Sequence, residues 1–165
     1  MSILEKPEST FNEFWGCWPW PEPTRRREFD PAGMLDDDYS CFAIERLDTG
    51  ECVGFEEYGR ITLNKPNTWL GTIIAREHQG LGFGREAKLL NLCYLFENYP
   101  LTMVWADTTD EHVRARAGLE AVGMRLAGRH NGYLYKRGEL WPSPCYQIMR
   151  EEWEEMTVRR TVIRG

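Results

Sequence analysis

The stretch Ile73-Ile74-Ala75-Arg76-Glu77-His78-Gln79-Gly80-Leu81-Gly82-Phe83-Gly84-Arg85-Glu86-Ala87 constrains the fold more than any other part of the chain. A β-branched strand end runs into a turn with glycine at alternate positions, and then into a helix start. Glycine permits positive φ, and a helix that begins directly after such a turn aims unpaired backbone N–H groups at one point. The sequence therefore predicts a strand, an anion-binding turn and a helix, and the anion suited to such a cradle is a diphosphate.

What the stretch lacks narrows the choice. A nucleotide P-loop carries a lysine and a hydroxyl residue directly after its last glycine, where this chain has Arg85 and Glu86. A dinucleotide fingerprint would put its third glycine at Arg85 and an acidic residue about twenty positions further on. The apolar segment Met103 to Trp105 stands there instead. What remains is Gln-x-x-Gly-x-Gly, spelled by Gln79, Gly82 and Gly84. An ordinary glycine loop is the competing explanation, and the flanking strand and helix signals weigh against it.

At 165 residues the chain suits one domain with a core of its own. Cys17, Cys41, Cys52, Cys93 and Cys145 are scattered without a Cys-x-x-Cys pair, and His78, His112 and His130 lack ligand spacing, so neither disulfides nor a metal are expected. No apolar run is long enough for a membrane span, and Glu5, Pro7 and Glu8 do not suit a signal peptide, so a cytoplasmic protein is expected. The net charge of −6 disfavours nucleic acid as a partner and suits a cationic amine.

Residues 1–38 read as an irregular arm, in which Phe11, Phe14, Trp15, Trp18 and Trp20 interleave with Pro19, Pro21 and Pro23 ahead of Arg25-Arg26-Arg27. Its aromatics would plug the open end of a sheet or wall an acceptor pocket. The main domain is expected over 39–157, with a basic tail over 158–165. Within the domain, Cys41 to Leu47, Cys52 to Leu63 and Thr68 to Ala75 predict an antiparallel meander, with a hairpin turn at Asp48-Thr49-Gly50-Glu51. A helix from Gly84 to Asn98 places Leu89, Leu92, Cys93 and Phe96 on one face and stops before Pro100. Leu101 to Ala106 reads as a buried strand. Thr108 with Glu111 suggests a capping box for a helix running to Val122, closed by Gly123. Strands over Met124 to Tyr135 and Pro144 to Met149, joined by a longer connection through Lys136 to Glu139, precede a charged helix from Arg150 to Met156. This alternation is an α/β arrangement with a mixed sheet.

The Gln79 to Gly84 turn resembles the pyrophosphate-binding motif of the GNAT acetyltransferases. Further resemblance lies in Phe42-Ala43-Ile44-Glu45, Asp48 to Gly54, Glu86-Ala87, Val122 to Gly128, Tyr133 to Glu139 and Ile148 to Trp153. These runs look most like the branch typified by the ribosomal-protein N-acetyltransferases. The resemblance implies the GNAT acyl-CoA N-acyltransferase fold, an α/β fold with a mixed, mostly antiparallel sheet and helices on both faces. It also implies acetyl-CoA as co-substrate, a primary amine as acceptor (a protein N-terminus, a lysine or a small amine), direct transfer in a ternary complex, and a possible homodimer. Acetyl-CoA would lie between the strands Thr68 to Ala75 and Leu101 to Ala106. Ile73, Ile74 and Ala75 would offer backbone groups to pantetheine, Gln79 would order the turn, and Gly80, Leu81, Gly82, Phe83, Gly84 and Arg85 would hold the pyrophosphate.

The resemblance also exposes departures. A glutamate that many relatives carry two residues before the glycine of the cofactor strand is replaced by Trp69; their acidic tyrosine aligns with Leu119, and their Asn-x-x-Ser pattern with His112 and Ala115. Glu56 and Glu57 are the substitute candidates for proton transfer, because adjacent strand residues point to opposite faces and one must face the cleft. His78 and His112 are weaker candidates. Two rival functions follow: an acyl-CoA-binding module without catalysis, serving as a sensor or interaction subunit, and an enzyme of the same fold that uses another acyl group or modifies nucleic acid.

Overall fold

The computed structural model describes residues 39–62 and 64–164, and the aromatic arm expected over 1–38 lies outside them. Six strands form one sheet in the order β1-β2-β3-β4-β6-β5. They are β1 (Tyr39–Glu45), β2 (Cys52–Gly59), β3 (Asn67–Ile74), β4 (Met103–Asp107), β5 (Arg125–Lys136) and β6 (Glu139–Met149). Among the described strands only β3 and β4 pair in parallel, joined through a 3-10 turn (Arg76–His78) and helix α1 (Phe83–Asn98). Helix α2 (Val113–Glu120) follows β4, and α3 (Arg150–Glu155) and α4 (Thr157–Arg164) follow β6. This is the mixed, mostly antiparallel sheet expected.

Strand alternation decides what lies under α1. Tyr58, Leu70, Val104, Ala106, Tyr146 and Ile148 turn to one face, where they meet Leu89, Leu92, Leu95 and Phe96 of α1, Leu119 of α2 and Trp153 of α3. The described helices thus gather on this face. Trp153 is fully buried and stacks on Phe96 with ring centroids 6.2 Å apart. The segment read as a tail from residue 158 forms α4, whose Val158 and Val162 pack against the same core.

Three local expectations are corrected. The capping box at Thr108 and Glu111 does not form, because Thr108 N–H donates to Pro144 O of β6 at 3.2 Å and keeps the chain extended. Helix α2 begins at Val113 instead, with no side-chain cap, although Gly123 does adopt the positive φ of +88° expected of its terminator. The connection between β5 and β6 is also tighter than expected: Lys136 pairs with Glu139 across a two-residue turn, with φ of 53° at Arg137 and 83° at Gly138. Finally, β6 starts at Glu139 and contains Pro142 and Pro144. It tolerates them because β4 pairs with β6 only from Cys145 onward, and before that the backbone bond described from the β4 side, Thr108 N–H to Pro144 O, needs no N–H from a proline.

The carboxyl-terminal end of α1 is tied to the sheet by one side chain. Arg150 donates to Phe96 O at 2.8 Å, Tyr99 O at 2.7 Å and Leu101 O at 2.7 Å, and its guanidinium lies 5.2 Å from the Phe96 ring centroid. These carbonyls are helix-end or loop acceptors without an intrahelical partner.

One carboxyl is walled into the core. Glu56, 3% exposed, accepts a hydrogen bond from the Asn91 amide at 3.2 Å, while its Oε2 has no partner among the described residues. Burial pushes this carboxyl up to about 7, against the pull of the Lys88 ammonium, which burial lowers in turn. Between 4.5 and about 7 the folded chain keeps a proton that the unfolded chain releases, so Glu56 makes stability fall as pH rises through that window.

Two outcomes are expected. Arg150→Met should lower unfolding free energy by about 3 kcal/mol, read from urea melts. Glu56→Gln should flatten the melting temperature between pH 5 and 7, removing a dependence worth about 3 kcal/mol at most.

Candidate active site

The parallel pair is short. Asn67, Thr68 and Trp69 pair with Met103, Val104 and Trp105, and there the pairing ends. Beyond it, residues Leu70 to Ile74 continue against β2, while Ala106 and Asp107 continue against β6. A wedge-shaped gap therefore opens between the carboxyl-terminal parts of β3 and β4. Ala75 N–H donates to Val53 O of β2 at 2.9 Å. By strand alternation Ile73 and Gly71 also turn their backbone groups to β2, and Thr72 and Ile74 turn theirs to the gap. Of the three residues expected to offer backbone groups, only Ile74 faces the gap, and its carbonyl already accepts the Gln79 amide at 2.8 Å. Thr72, which sequence reasoning did not select, faces the gap as well.

At the end of β3 the chain turns through Arg76–His78 into the glycine segment. Gly80 and Gly82 have φ of +79° and +94°, and a Cβ on either would meet nothing within 4 Å. Their absence of side chains thus serves backbone shape and leaves open space. Gly84 serves close approach, since a Cβ there would lie 3.3 Å from Ile74 Cγ1. The N–H groups from Gly80 to Gly84 find no backbone acceptor among the described residues, whereas Arg85 N–H donates to Gly82 O at 3.0 Å. The Arg85 guanidinium is near the Ala121 carbonyl. Leu81 is exposed, and Phe83 sits between the His78 ring and the Arg46 guanidinium. A left-handed turn with consecutive free N–H groups at the start of a sixteen-residue helix fits a diphosphate.

The odd-numbered residues of β3 face away from α1. Trp69 lies flat across β2, where a Cβ on Gly59 would be 2.0 Å from its Nε1. Glu57, beside Trp69 on that face, brings its Oε1 to 2.7 Å from where a Gly71 Cβ would stand. The two candidate glutamates are therefore separated: Glu57 lies over the cofactor strand at its glycine, and Glu56 lies under α1. Leu119 is 4% exposed within the core. His112 precedes α2, with its Nδ1 3.5 Å from Thr108 Oγ1; burial, then Arg114 and Lys88, push it down to about 4, so it is neutral at pH 7. His78 Nε2 lies 3.4 Å from Glu51 Oε1, in the turn before the glycines. Tyr146 is spoken for by Arg116 and Glu120, whose side chains meet its hydroxyl at 3.2 and 3.1 Å. Among the described residues no group of three or more His, Cys, Asp or Glu converges as metal ligands would.

Comparison with known proteins agrees with this geometry. No curated protein sequence matches the chain significantly. Among solved structures, it resembles the spermidine N-acetyltransferase of Vibrio cholerae crystallised with CoA and spermine, with a TM-score of 0.78 at 20% identity over 88% of this chain and 86% of the other. A GNAT-family acetyltransferase of Bacillus anthracis gives a TM-score of 0.75 at 17% identity, covering 90% and 87%. At these identities the likeness establishes the fold. The sequence profile described as acetyltransferase (GNAT) domain matches residues 2–125. The chain therefore belongs to the GNAT acetyltransferase family and is an acetyl-CoA-dependent N-acetyltransferase.

Proposed function

We propose that the chain acetylates a primary amine by direct transfer within a ternary complex, with Glu57 as the proton acceptor. The observation that carries this reading is the Glu57 carboxylate over Gly71. It arrives from the neighbouring strand beside the cofactor strand whose own expected glutamate is Trp69. Glu56 turns to the helix side, and in this reading its part is structural.

Bound acetyl-CoA supplies a thioester with a good leaving group. The N–H groups of Gly80 to Gly84 hold its diphosphate, Gln79 fixes the turn through Ile74 O, and the backbone of Thr72 and Ile74 lines the gap and provides N–H donors for an acyl oxygen. Helices α1 and α2 cover one face, so the amine enters from the face of Trp69, Glu57 and Trp105. There Glu57 takes a proton from the acceptor nitrogen. Within the family, the sequence runs favour the branch of the ribosomal-protein N-acetyltransferases, which supports a protein amino terminus or lysine as acceptor. The Vibrio cholerae structure with spermine supports a small polyamine equally. Four described cysteines are free thiols, which supports a reducing, cytoplasmic setting.

Acetyl-CoA at a hundred times its Kd should stabilise the protein by about 2.7 kcal/mol in a thermal melt. Gly82→Val, which forces a β-branched residue to φ of +94°, should abolish most of that shift. Glu57→Gln should lower kcat by about 100-fold while leaving the acetyl-CoA shift intact, measured as CoA thiol release over a panel of amines. Full stabilisation by acetyl-CoA with no thiol release from the unmodified chain would instead make it an acyl-CoA-binding module.

A further inference from the structure

Asp107 ends β4 at the mouth of the gap. The last paired residues are Trp69 and Trp105, so Gly71 and Asp107, each two residues further on, stand level on opposite arms. Two residues correspond to about 6.6 Å along a strand, and paired strands lie about 4.8 Å apart before the arms diverge. Asp107 alternates with Ala106, which turns to the core, and so shares the face of Trp105 and Trp69. The carboxylate of Glu57, lying over Gly71, thus flanks the gap from one arm and Asp107 flanks it from the other.

Hydroxyl groups surround the Asp107 carboxylate. Ser143, fully buried, donates to Thr108 O at 2.6 Å and holds its Oγ 3.3 Å from Asp107 Oδ2. The Tyr133 hydroxyl lies against the same carboxylate, and burial together with Asp107 pushes that phenol up to about 12, so it stays a neutral donor. The ion pairs among the described residues leave Asp107 out. Burial is the largest influence on its carboxyl and raises it. The Tyr133 and Ser143 hydroxyls and the His130 ring favour its charged form without offsetting that burial, and a half-buried carboxylate is costly to keep charged. An ammonium group would offset that cost, and the aromatic faces of Tyr133 and Trp105 suit the same guest.

We propose that Asp107, set by Ser143 and Tyr133, forms the acceptor-amine subsite on the β4 arm and holds the substrate ammonium opposite Glu57. The inference rests on the proposed amine acetylation. One proton of the ammonium passes to Glu57, and the freed lone pair forms the new C–N bond to the acyl carbon. The C–S bond breaks with its electron pair on sulfur. The second proton lost by nitrogen ends on that sulfur as the CoA thiol, and the proton on Glu57 returns to solvent. Asp107 remains ionised throughout and orients the nitrogen.

Steady-state thiol release at saturating acetyl-CoA, with spermidine and a lysine-containing peptide as amine probes, tests this. Asp107→Asn should raise the KM for the amine roughly tenfold or more, with the acetyl-CoA thermal shift unchanged. Asp107→Glu should recover part of the loss, and Tyr133→Phe, at a position 50% exposed, should raise the same KM by about threefold. An unchanged amine KM in Asp107→Asn, while Glu57→Gln still lowers kcat, overturns the subsite and leaves the proposed function standing. Should Asp107→Asn fail to fold, an unchanged KM in Tyr133→Phe overturns it equally. Failure of the unmodified chain to release thiol with any amine removes the proposed function, and the subsite with it.

Discussion

The parting of β3 from β4 after Trp69 and Trp105 is the constraint on which the rest of the site depends. A parallel pair of only three residues leaves each strand committed to its outer neighbour, β3 to β2 and β4 to β6. The inner edges of both strands then face a gap with no strand partner, where the Gln79 amide caps Ile74 O and other backbone groups are available to a ligand. Because β3 runs directly into the glycine turn and α1, the N–H cluster stands at the outer end of that gap. A diphosphate held by the turn can therefore extend an acyl arm inward along the edge of β3. The same register sets Gly71 and Asp107 level with one another.

Missing side chains shape the site as much as present ones. Gly59 makes room for the Trp69 indole, and Gly71 makes room for the Glu57 carboxylate. A methyl group at Gly59 would force the indole to move, and one at Gly71 would displace the carboxylate. Trp69 occupies the place where many family members have an acid, and a carboxylate reaches the same strand from β2. Replacing a residue in the cofactor strand thus need not remove carboxylate chemistry from the cleft. At Gly84 the same economy of space lets α1 begin close to Ile74, so that the helix amino terminus stays near the end of β3.

Much of the fold is legible in the residues because it rests on local periodicity. The meander β1 to β3, helix α1 with its apolar face, and β4 fall near the ranges their patterns predict, with end differences of the ordinary size for β1, β3, α1 and β4. Two of the readings that failed involve contacts between distant segments, and a third an unusual local turn. The Thr108-Glu111 signal loses to the backbone bond that Thr108 N–H donates to Pro144 O, thirty-six residues away in the chain. Pro142 and Pro144 look like loop residues because they cannot donate in a two-sided ladder, and only the early end of β4 removes the strand that would need their N–H groups. Arg137 at positive φ hides a tight hairpin that Asn-Gly would have announced.

The sequence by itself determined the glycine turn proposed as the cofactor cradle, because its parts are backbone N–H groups of consecutive residues and the glycines that shape them lie side by side. It also put an adjacent pair, Glu56 and Glu57, ahead of His78 and His112 as proton-transfer candidates, since alternation along one strand is a local property. Only the tertiary structure decided that Glu57 reaches over the cofactor strand while Glu56 is sealed beneath α1, and that Asp107 stands across the gap. Those relations depend on the β2–β3 register, on the docking of α1 and on the register of β4 with β3 across that helix, and register is set by packing of the whole sheet rather than by any neighbouring residue.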